Sequence, residues 1–315
     1  RAWAAAEMES RGLSATPTGG SDAADPTEPA AAVVAEPVDD AATGEPYPFQ
    51  TVYTDGNIVF EEDDDGVVML SWGRKSSLWM GFRNPFNPLE FGLEYFQTQV
   101  AIGLTSGHHK RALILGLGIG AIPATLRAMC PDMDIDIVEL DPAIIEGAAK
   151  HVDMTEDHRM RIHEADAAEF VKHEDQQHRY DLIIHDCFDL SGIPAVFHHR
   201  DFYVDALNCL QPGGVFSVNL IWTLLEAQVI REHMLELLEN PLAIHCQTAT
   251  NCAIFGRAKG DDPLHHRDLV SAAMDVDGEC RLPYLVTTQV ERAQSAFEPQ
   301  TCSDEALLWE GRVPD

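Results

Sequence analysis

Apolar residues along this chain fall into two textures. Between residues 47 and 89 they come in short clusters rich in β-branched and aromatic side chains, namely Phe49-Gln-Thr-Val-Tyr53, Asn57-Ile-Val-Phe60 and Val67-Val-Met-Leu-Ser71. Turn formers (Thr54-Asp-Gly, Asp63-Asp-Asp-Gly) separate them, which predicts a small antiparallel sheet. Asn84-Pro-Phe-Asn-Pro88 closes that unit, and Leu89–Leu104 reads as a helix leading into the main body. Beyond residue 110 strands alternate with helices. The predicted strands are Ala112–Leu115, Ile135–Leu140, Met160–His163, Leu182–His185, Val215–Leu220, Leu242–Cys246 and Cys252–Arg257. Helix starts are marked by Asp141-Pro142, an N-cap followed by proline, and by Asp166 with Glu169, a capping box. Pro212-Gly-Gly ends a helix from Arg200 and feeds the next strand. Such alternation implies a mainly parallel sheet covered on both faces. Residues 1–46 hold 13 Ala and nine acids with scattered prolines, and read as a disordered or extended acidic arm. Residues 259–315 have only weak pattern and are expected to lie over the core.

Composition narrows the partners. The 315 residues are 45% hydrophobic, enough for one full core and a small second domain. A formal charge of −31 repels nucleic-acid phosphates and anionic membranes, so binding either needs a local basic patch. The bases are scattered in sequence, and neither nucleic acid nor a membrane is expected as partner. No stretch of about 20 unbroken apolar residues is present, and the uncharged run Ala112–Leu126 is cut by three glycines and a proline. Seven cysteines without a C-x-x-C pair suit a soluble protein of a reducing compartment, cytoplasm or organelle interior. The chain starts at Arg1 rather than Met, which is compatible with a targeting peptide already removed.

Candidate chemistry begins where the first long apolar strand ends. Gly116, Gly118 and Gly120 follow Leu113-Ile-Leu115 and precede a helix, so the backbone can turn tightly and present free N–H groups to a ligand. A tight strand-to-helix turn explains three glycines equally well. Glu139, 19 residues past Gly120 at the tip of the next strand, shifts the balance towards a nucleoside, because an acid there accepts ribose hydroxyls. The expected fold is therefore α/β and Rossmann-like, with a seven-stranded, mainly parallel sheet and helices on both faces. It would comprise the arm (1–46), a small antiparallel β domain (47–89), the nucleoside-binding domain (90–258) and a C-terminal extension (259–315).

Acids mark the later strand ends as well. Asp166 caps a helix and also lies at the carboxyl edge of the third strand. Asp186 and Asp189, three apart beyond the fourth strand, suit deprotonation of an amine or the holding of a cation, although either acid can simply cap a loop. The pairs His108-His109, His198-His199 and His265-His266 lack zinc-ligand spacing, so no metal is expected. Trp72 and Trp79 are expected to pack between the small sheet and the core.

As an ordered set, these motifs resemble the spermidine synthase family, and more closely its branch of spermidine-synthase-like proteins of uncertain activity. The likeness runs over residues 46–258. It includes Pro46-Tyr47, Phe49-Gln50, Gly73-Arg-Lys-Ser76-Ser77, Leu93-Glu94-Tyr95, Gly116–Gly120, Val138-Glu139-Leu-Asp141-Pro142, Glu164-Ala-Asp166 and Asp186-Cys-Phe-Asp189. Ser191-Gly-Ile-Pro194-Ala195-Val-Phe197, Arg200-Asp-Phe202-Tyr203 and Gln211-Pro-Gly-Gly complete it. The resemblance implies the Rossmann-like methyltransferase fold and S-adenosylmethionine or its decarboxylated form as donor, with Gly116, Gly118, Gly120 and Gln50 around it. Glu139 would hold the ribose, Asp166 the adenine amino group, and Asp186 would be the base, with the loop after Asp189 covering the site. It also implies a homodimer or larger assembly. Three positions depart from polyamine synthases: Ile119 replaces a glycine-loop Asp, Tyr95-Phe96 replaces a His-Glu pair, and Lys75 replaces a Gln.

Three functions follow. The first is a transferase moving a methyl or aminopropyl group to a small amine or another methyl acceptor. The alternative is a catalytically inactive family member acting as a binding or assembly subunit, since fold alone does not guarantee activity. A nicotinamide oxidoreductase ranks below both, because the spacing is G-x-G-x-G.

Overall fold

The computed structural model describes residues 49–74, 79–90, 92–280 and 282–297. The acidic arm, Tyr47 and Lys75 lie outside them. Strands β1 (Gln50–Asp55), β2 (Ile58–Glu62), β3 (Val68–Trp72) and β4 (Trp79–Arg83) form an antiparallel sheet in that order, one strand more than the three apolar clusters suggest. Its Ile58, Phe60, Val68 and Leu70 are buried in the same cluster as Phe96, Ile114, Ile119 and Ile137 of the main body. Trp72 packs against this shared core, whereas Trp79 meets Phe82 edge-on at 5.1 Å.

Helix α1 (Glu94–Thr105) then leads into an eight-stranded sheet. The helix begins later than Leu89 because Asn87 folds the chain first: its Oδ1 accepts the Leu89 N–H and its carbonyl the Glu90 N–H. Strands β5 (Arg111–Leu115), β6 (Asp134–Glu139), β7 (Met160–Glu164), β8 (Tyr180–His185) and β9 (Leu210–Ile221) are parallel, in the order β9-β8-β5-β6-β7. Beyond β9 run β11 (Asn251–Ala258), β10 (Leu238–His245) and β12 (Gln294–Ser295), all antiparallel to their neighbours. The expected count of seven missed β12, a two-residue strand from the C-terminal extension that is too short to leave a period in the sequence.

Both faces of the sheet are buried. Ala112 and Ile114 of β5 point into one cluster, Leu113 and Leu115 into the other, which is why the strand reads as an unbroken apolar run. Helices α2 (Ala121–Met129) and α3 (Pro142–His151) follow β5 and β6, and α4 (Ala167–Phe170) follows β7. Helices α5 (Arg200–Asn208) and α6 (Leu225–Leu237) flank β9, and α7 (His266–Glu279) and α8 (Val286–Val290) form the extension. Asp141 caps α3 as expected, accepting the Ala143 N–H at 2.9 Å. Asp166 caps α4, but Glu169 turns outward to Lys172 and leaves the capping box half-made. In α3, a side chain at Gly147 would meet the Phe60 ring at 2.2 Å, so glycine there lets the small sheet dock.

The order of strands matters most. From β5 the chain steps through β6 and β7 in one direction, then returns to place β8 and β9 on the other side. The switch falls between β5 and β8, and the crevice outside the carboxyl ends of such strands is where doubly wound sheets bind ligands. At the opposite, amino-terminal edge the expectation of scattered bases fails: Arg111, Arg159, Arg161 and Arg179 come together.

Candidate active site at the carboxyl edge of the sheet

Gly116 starts the loop after β5 at φ 96°, and its N–H donates to Val138 O at 2.8 Å. A Cβ here would lie 2.4 Å from the Asp186 carbonyl oxygen, so glycine is what allows the β5 and β8 loops to touch. Gly120, at φ 74°, ends the loop as the N-cap of α2, and a side chain there would strike Met154. Gly118 differs. It sits at φ 51°, and a Cβ built on it meets nothing within 4 Å. The loop is thus held at both ends and open in the middle.

Glu139, at the tip of β6 and 9% exposed, braces this loop from below. Its Oε2 accepts the Leu117 N–H and its Oε1 the Asp141 N–H, both at 2.9 Å. Burial raises its pKa, and hydrogen bonds from the Asp141, Leu117, Leu140 and Gly118 N–H groups oppose that rise. Each carboxylate oxygen is thus tied to backbone N–H groups around the glycine loop.

Asp186 follows β8. Its N–H donates to Leu115 O at 2.8 Å, which locks it beside the glycine loop. Solvent reaches part of the residue, yet protein surrounds most of the carboxyl, and this burial lifts its pKa to about 6. The Asn219 Nδ2 donor on Asp186 Oδ1, at 2.8 Å, opposes the rise. Asn219 is held in turn, because Asn251 Nδ2 donates to its Oδ1 at 3.1 Å and fixes the amide. From the other side the Tyr95 hydroxyl donates to Met80 O at 3.0 Å. Burial pushes the Tyr95 pKa well up, and the charge of Asp186 adds to it.

Cys187 shows how closely the acids converge. Its thiol is pushed well above the usual range by burial, then by the charges of Glu139, Asp186 and Asp166. Three of the residues singled out from sequence therefore act on one atom. The Asp166 side chain is exposed, with Oδ1 accepting the Ala168 N–H at 2.7 Å.

Two others are placed differently. Asp189 is exposed, and its Oδ1 accepts both the Ser191 N–H (2.7 Å) and Oγ–H (2.6 Å), which shapes the turn closed by the Asp189–Gly192 backbone bonds. Ile193 and Phe197 anchor the following loop from beneath, the latter against His185. Gln50 stands apart, exposed at the first position of edge strand β1.

Asn219 was missed, although it had left a signal. In β9 the buried apolar Phe216, Val218 and Leu220 alternate with buried Ser217 and Asn219. A polar residue at an inward position needs a partner, and Asp186 is that partner. Ile119, by contrast, is wholly buried against the backbone of Gly81, leaving no carboxylate in the glycine loop. A hollow of about 410 Å³ lined by Thr105, Arg257 and Asp262 lies away from this crevice and contains none of its residues.

Residues 98–250 match the spermine/spermidine synthase domain. A polyamine aminopropyltransferase of Vibrio vulnificus is 32% identical over 115 residues, which are 36% of this chain and 38% of that enzyme. An eEF1A lysine and N-terminal methyltransferase of Bos taurus is 30% identical over 118 residues, 35% of this chain and 17% of that protein. The chain thus spans well under half the length of these relatives. Among solved structures, a spermidine synthase in complex with the transition state analogue AdoDATO superposes with TM-score 0.60 at 17% identity, covering 76% of this chain and 85% of that one. Human methyltransferase-like protein 13 in complex with SAH gives 0.51 at 20% identity, covering 70% and 99%. Both have the methyltransferase fold.

Proposed function

We propose, from the match of residues 98–250 to the spermine/spermidine synthase domain, that the crevice binds a sulfonium nucleoside and transfers one of its alkyl groups to an amine. The observation that carries the reading is Asp186, a carboxyl with its pKa lifted to about 6 beside the glycine loop and oriented by Asn219.

The chain's residues fit such a donor. The open side of Gly118 accepts a ligand without a clash, and the Glu139 carboxyl, held beside that loop at the tip of β6, suits ribose hydroxyls. Asp166 serves the adenine amino group from the end of β7. When bound, the donor supplies an activated carbon and leaves as a neutral thioether. Everything else is alignment and proton removal. Asp186 takes the proton that the amine loses as its nitrogen forms the new C–N bond. Its raised pKa makes it a stronger base than an ordinary aspartate while leaving it mostly ionised at pH 7. The Asn219 amide holds one oxygen, which leaves the other for the acceptor. A protein of charge −31 also draws in cationic acceptors.

Of the two donors, Ile119 favours S-adenosylmethionine and methyl transfer. An aspartate at this loop position would repel the donor's carboxylate and hold its amine, and the buried isoleucine does neither.

The test is a turnover assay on the full chain with each donor, using a primary diamine and a lysine-containing peptide as acceptors and following thioether release. Wild type is expected to release thioether from S-adenosylmethionine. Asp186→Asn is expected to lose at least about 100-fold in rate while still binding the nucleoside. Unchanged turnover in that variant would remove Asp186 from its role.

A further inference from the structure

The gathering of arginines at the amino-terminal edge of the sheet has no part in the chemistry above. Arg111 opens β5, Arg159 and Arg161 flank the start of β7, and Arg179 immediately precedes β8. With Asp134 and Asp136 of β6 they line a hollow of about 140 Å³. The strands between this hollow and the crevice are five or six residues long, so the two sites lie roughly 15 Å apart on opposite edges.

Part of the cluster is internally paired. Asp134 bridges Arg111 (3.3 Å) and Arg159 (2.9 Å), and Asp136 meets His163 (2.9 Å) and Arg179 (3.7 Å). The pairing is incomplete. Asp132 also approaches Arg159 at 3.9 Å, so four guanidinium groups face three carboxylates, an excess of one positive charge in a chain with 52 acids and 21 bases. Arg161 makes no ion pair among the described residues. The Arg179 Nε is shielded from solvent and has no hydrogen-bond partner. Like charges held this close repel unless an anion lies between them.

We propose that this hollow binds a phosphate-class dianion, either free phosphate or the terminal phosphate of a small metabolite. Two features select that class. The volume falls below the range of about 300–1,000 Å³ usual for whole small-molecule ligands and suits a single oxyanion head group. The guanidinium groups outnumber the carboxylates, and their forks complement phosphate oxygens bidentately.

Calorimetry on the full chain, with inorganic phosphate or glycerol phosphate titrated at constant ionic strength, tests this. One saturable site per chain is expected, weakened at least tenfold by Arg161→Gln and by Arg179→Gln. Arg161→Gln removes no ion pair among the described residues and should keep the wild-type melting temperature in phosphate-free buffer, whereas Arg179→Gln also loses its pair with Asp136 and is expected to melt lower. Tighter binding of the monoester would identify a metabolite as the source, and equal or tighter binding of inorganic phosphate the free ion. No saturable binding beyond matched chloride would overturn the proposal. So would binding that both variants retain, or binding abolished when methylthioadenosine saturates the crevice.

Discussion

Asp186 concentrates the residue-scale argument because two opposed effects set its proton affinity. Burial raises it and the Asn219 hydrogen bond lowers it, leaving a pKa of about 6. As a base it must be ionised, so kcat/KM is expected to rise with pH to a plateau above about 6. Asn219→Ala removes the lowering effect and should move that inflection upward by about one unit; a pH–rate profile of both proteins checks it. Stability has the opposite sign. A carboxyl whose folded pKa exceeds its unfolded value binds protons more readily when folded, so it destabilises above pH 6 and the deficit disappears as pH falls towards 4. Asp186→Asn is therefore expected to melt higher than wild type at pH 7–8, with the gap closing in acid.

The three glycines separate by the same logic. Gly118→Ala puts a methyl into open space, so denaturant unfolding should register only the positive-φ cost of about 1–2 kcal/mol, while donor affinity falls at least tenfold. Gly116→Ala drives a methyl onto the Asp186 carbonyl and should cost about 3 kcal/mol or more. Equal effects of the two on folding and binding would contradict the cradle. Gly116, Gly118, Gly120, Glu139 and Asp186 were legible in the sequence because strand ends point them to one edge. Asp189 carried the same signal, yet it serves Ser191, since spacing along a loop does not fix where a carboxylate turns.

Among the elements, those with a strong period were readable and those held by side chains distant in sequence were not. The strands flanking the crevice were readable because burial on both faces leaves unbroken apolar runs. The C-terminal extension was not, because its apolar contacts leave no clear period and a polar knot of residues distant in sequence helps to secure it. Glu94 at the start of α1 accepts bonds from the N–H groups of Gln247 and Thr248 (2.8 and 2.7 Å) and the Thr248 hydroxyl, and pairs with Arg292 at 2.6 Å. Nothing in the pattern around residues 94, 248 and 292 announces this. Side-chain exposures of 11% and 18% make the ion pair a largely buried one. Glu94→Ala is expected to cost about 3 kcal/mol in denaturant unfolding and to speed amide exchange over residues 282–297. Loss of stability without that local exchange would show that the extension is held elsewhere.

At the scale of the whole molecule, the reversal of strand order between β5 and β8 brings the glycine loop, Glu139 and Asp186 to one crevice and the arginines to the far edge. Net charge was legible from composition, but its distribution was not, since Arg111 and Arg179 are distant in sequence and meet only through parallel pairing of β5 with β8. Nucleoside binding in the crevice is the claim on which the chemistry rests. Calorimetric titration of the full chain with S-adenosylmethionine measures it directly: one equivalent should saturate, and methylthioadenosine should compete for the same site. No heat from either compound, or from the decarboxylated donor, would contradict it.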